Sequence, residues 1–308
     1  MIHQGPASRS PDPLRVIVTG GAKGIGAAIV RSFADLGAEV VIATRDKVAA
    51  AHFAAALNAC IGRCAVTAAQ LDLSSLQSIQ AFAVQQSNVP IDILVNNAGV
   101  MELTFVRTDD GFEWNFGVNF LGHFVLSNLL VPSLRLGRSK RIIQLTSGAH
   151  RVAPIDLDDL NFEARPFNGE AAYRESKTAC ALLAVALSDQ FRSTGIEAYS
   201  VAPGIVPTDL LRSMGDLQSD LMMERFPSAV RNPREAARSV MYAATDRELT
   251  GRGGLYIEDC RPAAPSDGQT PSGFAPHGVD PQLARALWQK TEAMLKARTP
   301  NWTDAAHV

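Results

Sequence analysis

The chain has 308 residues, 46% hydrophobic and 19% charged, enough to bury a large core, and its formal net charge of −2 without a long basic run argues against a nucleic-acid surface. No apolar stretch is read as approaching the roughly 20 residues that cross a bilayer, so a cytoplasmic protein without stable membrane insertion is expected. Cys60, Cys64, Cys180 and Cys260 lack the second Cys/His pair of a zinc site, and reduced thiols with no metal are the expectation.

Residues 1–13, "MIHQGPASRSPDP", are polar and proline-rich, lack the apolar segment of a secretory signal, and read as a flexible arm. From residue 14 apolar runs alternate with amphipathic segments: "LRVIVTGG" then "IGAAIVRSFADLG", "EVVIATR" then "DKVAAAHFAAALNA", "CAVTAAQLDL" then "SSLQSIQAFAVQQS". Further strands are expected at "IDILVNNAG", "KRIIQLTS", "IEAYSVAPG" and "GGLYIE", with long helices over Phe112 to Leu136 and Ala171 to Ser193. The alternation predicts an α/β fold of the Rossmann type, a doubly wound parallel sheet of about seven strands with helices on both faces. No linker divides it, so residues 14–308 read as a single domain. Two additions stand out: a loop over 148–170, expected to border the substrate, and an extension over 259–308 with a last helix near Gln282 to Ala297.

The turn "VTGGAKGIG" places Gly20, Gly24 and Gly26 between the first strand and the first helix. Glycines there let the backbone approach a phosphate, and the helix offers unpaired N–H groups and its positive dipole end. Farther on, "YRESK" puts Tyr173 and Lys177 four residues apart, on one helical face. An ordinary phenol titrates near pH 10, so a tyrosine acting on protons near neutrality needs a cation beside it. His123 and His150 have no evident carboxylate partner and read as structural or pocket residues.

These features resemble the short-chain dehydrogenase/reductase family in order along the chain: T-G-x-x-x-G-x-G from Thr19, "NNAG" at Asn96 to Gly99, Asn119 in "VNFLGHF", Ser147 at the end of the fifth strand, Y-x-x-x-K, and "PGIVPT" from Pro203 to Thr208. The resemblance implies a catalytic tetrad of Asn119, Ser147, Tyr173 and Lys177. Tyr173 would exchange a proton with the substrate oxygen and Ser147 would hydrogen-bond it. Lys177 would also hold the nicotinamide ribose, and Asn119 would keep a water that links the lysine to solvent. Cofactor contacts are implied at Gly20, Lys23, Gly24, Ile25, Gly26, Thr44, Arg45, Asp72, Leu73, Asn97, Ala98, Gly99, Tyr173, Lys177, Pro203, Gly204, Val206 and Thr208. Thr44 stands where NAD users place an acidic residue, and Arg45 and Lys23 supply cations suited to a 2′-phosphate, so NADP(H) is expected. For Arg45 the alternative is a surface charge paired with Asp46, and for Asp72 a helix cap or turn.

Within the family, "NFLGHFVLSNLL", the long loop before Tyr173 and "GLYIEDCRPAAPS" resemble the retinol dehydrogenase-like and WW-domain oxidoreductase-like group, although no N-terminal membrane helix or WW module is read. This implies a small apolar alcohol, aldehyde or ketone as substrate. The candidate pocket segments are Met101 to Arg107, Ala149 to Pro154, Leu210 to Phe226 and the tail from Cys260. A homodimer through the two long helices is expected, with the tail as an alternative cover for that face. Two other functions stay open: an NADP(H)-binding sensor without turnover, and a carbon–carbon double-bond reductase of the protochlorophyllide reductase type.

Overall fold

The computed structural model describes residues 12–298; most of the expected N-terminal arm and the end of the tail lie outside them. Eight strands form one sheet in the order β3-β2-β1-β4-β5-β6-β7-β8. They are β1 (Arg15–Thr19), β2 (Glu39–Thr44), β3 (Val66–Gln70), β4 (Ile93–Asn96), β5 (Arg141–Leu145), β6 (Glu197–Ala202), β7 (Tyr256–Glu258) and β8 (Arg261–Pro262). The first seven are parallel and match the seven expected from sequence; β8 runs antiparallel to β7. The connecting helices are α1 (Gly24–Asp35), α2 (Lys47–Ile61), α3 (Leu76–Gln86), α4 (Gly122–Leu136), α5 (Gly169–Gln190), α6 (Asp209–Arg212), α7 (Asp216–Arg225), α8 (Pro233–Thr245) and α9 (Pro281–Arg298).

The alternation of side chains along each strand divides the interior into two cores. Ile17, Val41, Leu94 and Ile142 face α3, α4 and α5, with α9 packed outside α5. Their neighbours Val16, Val18, Val40, Ile42, Ile93 and Ile143 face α1, α2 and α8. Both faces being covered explains why the strands read as continuous apolar runs. The order reverses between β1 and β4, which opens a crevice at their carboxyl ends.

The expectation about membrane-length segments needs correction. Phe116–Leu136 is long and apolar enough to cross a membrane, with a mean hydropathy of 1.3, but 89% of its most apolar stretch is buried in the fold. A helix clamped between the sheet and other helices must be apolar almost all round. The same segment departs from a regular helix: Phe116–Leu121 is π-helical before α4 begins. The buried Glu113 carboxylate accepts the N–H groups of Asn115 (2.9 Å) and Phe116 (2.7 Å) where this turn starts. Burial pushes the Glu113 carboxyl up, against the lowering effect of those N–H bonds.

Candidate active site

Local chemistry sets the crevice. Five helices begin with a side-chain cap: Asp46 accepts Ala49 N–H at α2, Ser75 accepts Ser78 N–H at α3, Asn168 accepts Ala171 N–H at α5, Asn232 with Glu235 forms a capping box at α8, and Asp280 accepts Gln282 N–H at α9. At α1 the capping position is Lys23, which makes no such bond, so the first-turn N–H groups are left for another acceptor. Gly20 and Gly24 adopt φ of +65° and +55°, which favours glycine. A Cβ on Gly26 would stand 2.2 Å from the Gly20 carbonyl oxygen. This turn therefore fits a dinucleotide pyrophosphate, in backbone shape and in donor supply.

The carboxyl end of β4 is tied to this turn through Thr19. Its hydroxyl oxygen accepts the N–H groups of Asn97 and Ala98, each at 2.9 Å. Asn97 Nδ2 donates to the carbonyls of Thr19 (2.8 Å) and Gly20 (3.2 Å). His123 Nδ1 is 2.9 Å from the Asn119 carbonyl and must donate to it, so Nε2 is the acceptor of the Thr19 hydroxyl at 2.9 Å. Full burial pushes this imidazole down to about 4. His123 is thus a neutral link between the phosphate turn and the π-turn.

The π-turn carries Asn119. Its side chain accepts Val100 N–H (2.7 Å) and donates to the Val100 carbonyl and to Ser176 Oγ, both at 2.9 Å. Ser176 in turn donates to the Tyr173 carbonyl at 2.7 Å. Asn119 therefore fastens the loop after β4 to the helix of the tyrosine, while its own carbonyl accepts His123 and, at 3.2 Å, the Cys180 thiol.

On α5, Tyr173 and Lys177 are both largely buried on one face, with the ammonium 5.6 Å from the centre of the phenol ring. A Cβ on Gly99 would stand 3.2 Å from Lys177 Nζ, so the lysine reaches the backbone after β4. Neither the Tyr173 hydroxyl nor Lys177 Nζ has a hydrogen-bond partner among the described residues. Ser147 follows β5; its Oγ accepts Ala149 N–H at 3.2 Å, which leaves the hydroxyl proton to donate elsewhere. Between Tyr173 and Lys177 sits Glu175, gripped at both oxygens by Arg165 (2.8 and 2.6 Å). Arg165 also lies 3.9 Å over the Phe162 ring and pairs with Asp159. The loop 148–170 is thereby latched onto α5.

The remaining expected cofactor residues lie along the same strand ends. Thr44 closes β2, and Arg45 is exposed with no ion pair among the described residues. Asp46, offered as its partner, caps α2 instead. Lys23 is exposed and pairs with Asp209 at 2.8 Å, a partner absent from the sequence reading because it lies 186 residues away. Asp72 accepts the N–H (2.9 Å) and hydroxyl (2.7 Å) of Ser74, the turn role held open for it. Leu73 is buried, and its carbonyl is what makes Gly122 intolerant of a Cβ, at 2.5 Å. Beyond β6, Pro203 and Gly204 lead to the buried Val206, and Thr208 Cγ2 would lie 3.2 Å from a Cβ on Gly24. Ile25 packs beside the core under α1.

Profile comparison matches residues 15–218 to the short chain dehydrogenases. The chain belongs to that family. It is 36% identical to human retinol dehydrogenase 13 over 93% of this chain and 86% of that one, and 37% identical to mouse polyprenol dehydrogenase over 92% and 84%. A gluconate 5-dehydrogenase from Burkholderia cenocepacia, solved in complex with NADP and tartrate, superposes with a TM-score of 0.65 at 25% identity, covering 80% of this chain and 93% of that one. The protein is accordingly an oxidoreductase of a family that uses nicotinamide cofactors.

The sequence did not reveal the contacts that hold the four candidate catalytic residues in place. Thr19, Glu175 and Ser176 lie inside quoted motifs, and His123 and His150 were noted, but their partners are backbone groups or residues distant in sequence. Among the described residues no cluster able to hold a metal is found, and all four cysteines are free, with Cys60 and Cys64 exposed.

Proposed function

We propose that this protein is an NADP(H)-dependent oxidoreductase that interconverts a hydrophobic alcohol and its ketone or aldehyde, with Tyr173 as general acid and base. The observation that carries the reading is the pairing of Tyr173 and Lys177 on one face of α5, a helix joined to the end of β5 next to Ser147 by the bond from the Thr146 hydroxyl to the Lys177 carbonyl. A nicotinamide cofactor held along the strand ends would supply or accept the hydride.

The residues then divide the remaining work. In reduction, the Tyr173 hydroxyl gives its proton to the substrate oxygen as that oxygen becomes an alkoxide, and solvent restores the proton. Ser147 donates a hydrogen bond to the same oxygen, fixing it and spreading its charge. The Lys177 ammonium favours the phenolate left behind. Oxidation of an alcohol reverses each step. Gly20, Gly24, Ile25 and Gly26 would carry the pyrophosphate, Arg45 with Lys23 the 2′-phosphate, Asp72 and Leu73 the adenine side, and Asn97 to Gly99 with Pro203 to Thr208 the nicotinamide. Lys23 would exchange Asp209 for phosphate, an exposed pairing that costs little to break.

An apolar substrate is supported by the exposed side chains on the loops around the crevice: Leu103, Phe105 and Val106 after β4, Val152 after β5, and Leu217 and Leu221 on α7. Both curated relatives named above are called dehydrogenases of apolar alcohols, retinol and polyprenol. A cytoplasmic location is part of the reading, supported by the four free thiols. The test is to follow NADPH and NADH absorbance over a panel of apolar aldehydes and ketones, with Tyr173→Phe as control. Turnover that survives the substitution would remove the tyrosine from the mechanism; tight binding without turnover in the native protein would point to a sensor.

A further inference from the structure

His150 follows Ser147 by three residues, in the 3-10 turn Gly148–Val152, and is fully buried. Proton transfer at Tyr173 makes no use of it, yet its ring is bonded at both ends. Nδ1 is 2.8 Å from the Ser147 carbonyl oxygen and therefore donates to it. Nε2, left without a proton, accepts Ala275 N–H at 3.1 Å. The backbone carbonyl of His150 accepts His277 Nε2–H at 2.7 Å and the Thr178 hydroxyl at 3.3 Å. No slack remains around the ring: a Cβ on Gly278 would stand 2.7 Å from His150 Cδ2. The groups facing the imidazole are Arg151 from its own turn, the Tyr256 hydroxyl of β7 at 3.4 Å, and His277 from the tail.

Ala275, His277 and Gly278 belong to the C-terminal extension, whereas Ser147 and Thr178 belong to the catalytic end of the sheet. We propose that His150 is a positioning residue through which the extension sets Ser147, its ring acting as a strut between the tail backbone and the serine's own carbonyl. This rests on the reading of Ser147 as the residue that holds the substrate oxygen. Docking of residues 273–278 and the aim of the Ser147 hydroxyl are then one event, and the extension is part of the catalytic apparatus although none of its side chains takes part in the chemistry.

The test pushes from the tail. In the full chain, Gly278→Ala forces a methyl group against the ring without altering a catalytic group. Hydrogen exchange over residues 146–152 is expected to rise and kcat to fall about 10- to 100-fold, the scale of a small misplacement, while the Kd for NADPH is unchanged. His150→Asn keeps a donor near the Nδ1 position but cannot reach Ala275, so it should retain more kcat than His150→Phe, which has neither group. Unchanged exchange and kcat in a folded Gly278→Ala protein would overturn the proposal. If that variant does not fold, equal losses of kcat in the Asn and Phe variants would do the same. Absence of turnover in the native protein would instead refute the enzymatic reading, and the exchange measurement would still judge the strut.

Discussion

Tyr173→Phe removes one oxygen from a buried ring whose hydroxyl has no hydrogen-bond partner among the described residues, so folding should be spared. Loss of a general acid lowers kcat by about 10²- to 10⁴-fold, and cofactor titration of the variant should be normal. Arg45→Ala tests the cofactor choice: the ratio of NADPH to NADH efficiency is expected to fall roughly 10- to 100-fold, the loss of one charge-assisted contact of about 1.5–3 kcal/mol. An unchanged ratio would dismiss Arg45 as the phosphate ligand. The histidines give a pH prediction. Burial pushes both His123 and His150 down to about 4, whereas an unfolded imidazole titrates near 6.5. Between those values the unfolded chain binds more protons than the folded one. Stability present above about pH 6.5 is therefore lost as pH falls toward 4, by up to roughly 3 kcal/mol for each ring. A melting temperature that stays level across that window would refute it. At this scale the four residues proposed as a tetrad could be named from sequence because each sits in a motif of fixed spacing. The bonds that aim it were not, since a carbonyl such as that of Asn119 or Ser147 carries no letter of its own.

Elements were legible where they are long. The seven parallel strands announce themselves as apolar runs because both faces of the sheet are covered. Strand β8 has two residues and follows a turn in which Asp259 and Cys260 take φ of +48° and +56°. Asn-Gly or Asp-Gly would have signalled that turn; Asp-Cys does not. The π-turn at Asn119 was equally hidden, because the bonds around it, from the Glu113 carboxylate and from Asn119 to Val100 and Ser176, join groups that no local sequence pattern marks. The latch between Arg165 and Glu175 belongs here too. Glu175→Gln removes the closer of the two carboxylates that hold the part-buried Arg165 guanidinium and leaves it Asp159 alone, and the melting temperature should drop by several degrees, for a loss of about 1–3 kcal/mol. If the latch orders the loop 148–170, KM for the carbonyl rises while the Kd for NADPH stays put; a shift in the cofactor Kd alone would contradict that role.

Over the whole molecule, the expected pairing surface has a cover. Helix α9 lays Ala284, Leu287 and Trp288 against Phe120, Phe124, Leu183 and Ala186, with Trp288 edge-on to Phe124 at 4.6 Å between ring centres. A homodimer through α4 and α5 would have to displace it. The full chain is expected to sediment as a monomer at micromolar concentration, and a chain ending at Val279 to self-associate through the uncovered apolar face. A dimer of the full chain that persists when Trp288 is replaced by Ala would place the contact on another face. The tail's sequence carried a helical pattern but gave no address for it, because a packing partner is a property of the folded chain.

The outer margin of the sheet beyond β7 has a different consequence. Ala263 N–H bonds back to Tyr256, so the alternation along β8 turns the nitrogen of Pro262 outward, where a peptide would present its donor. A proline has none to present. The last rung is thereby blunted, and a stray extended chain finds no matching ladder there on which to dock. The short hairpin that the sequence did not reveal thus leaves that margin a poor template for edge-to-edge pairing.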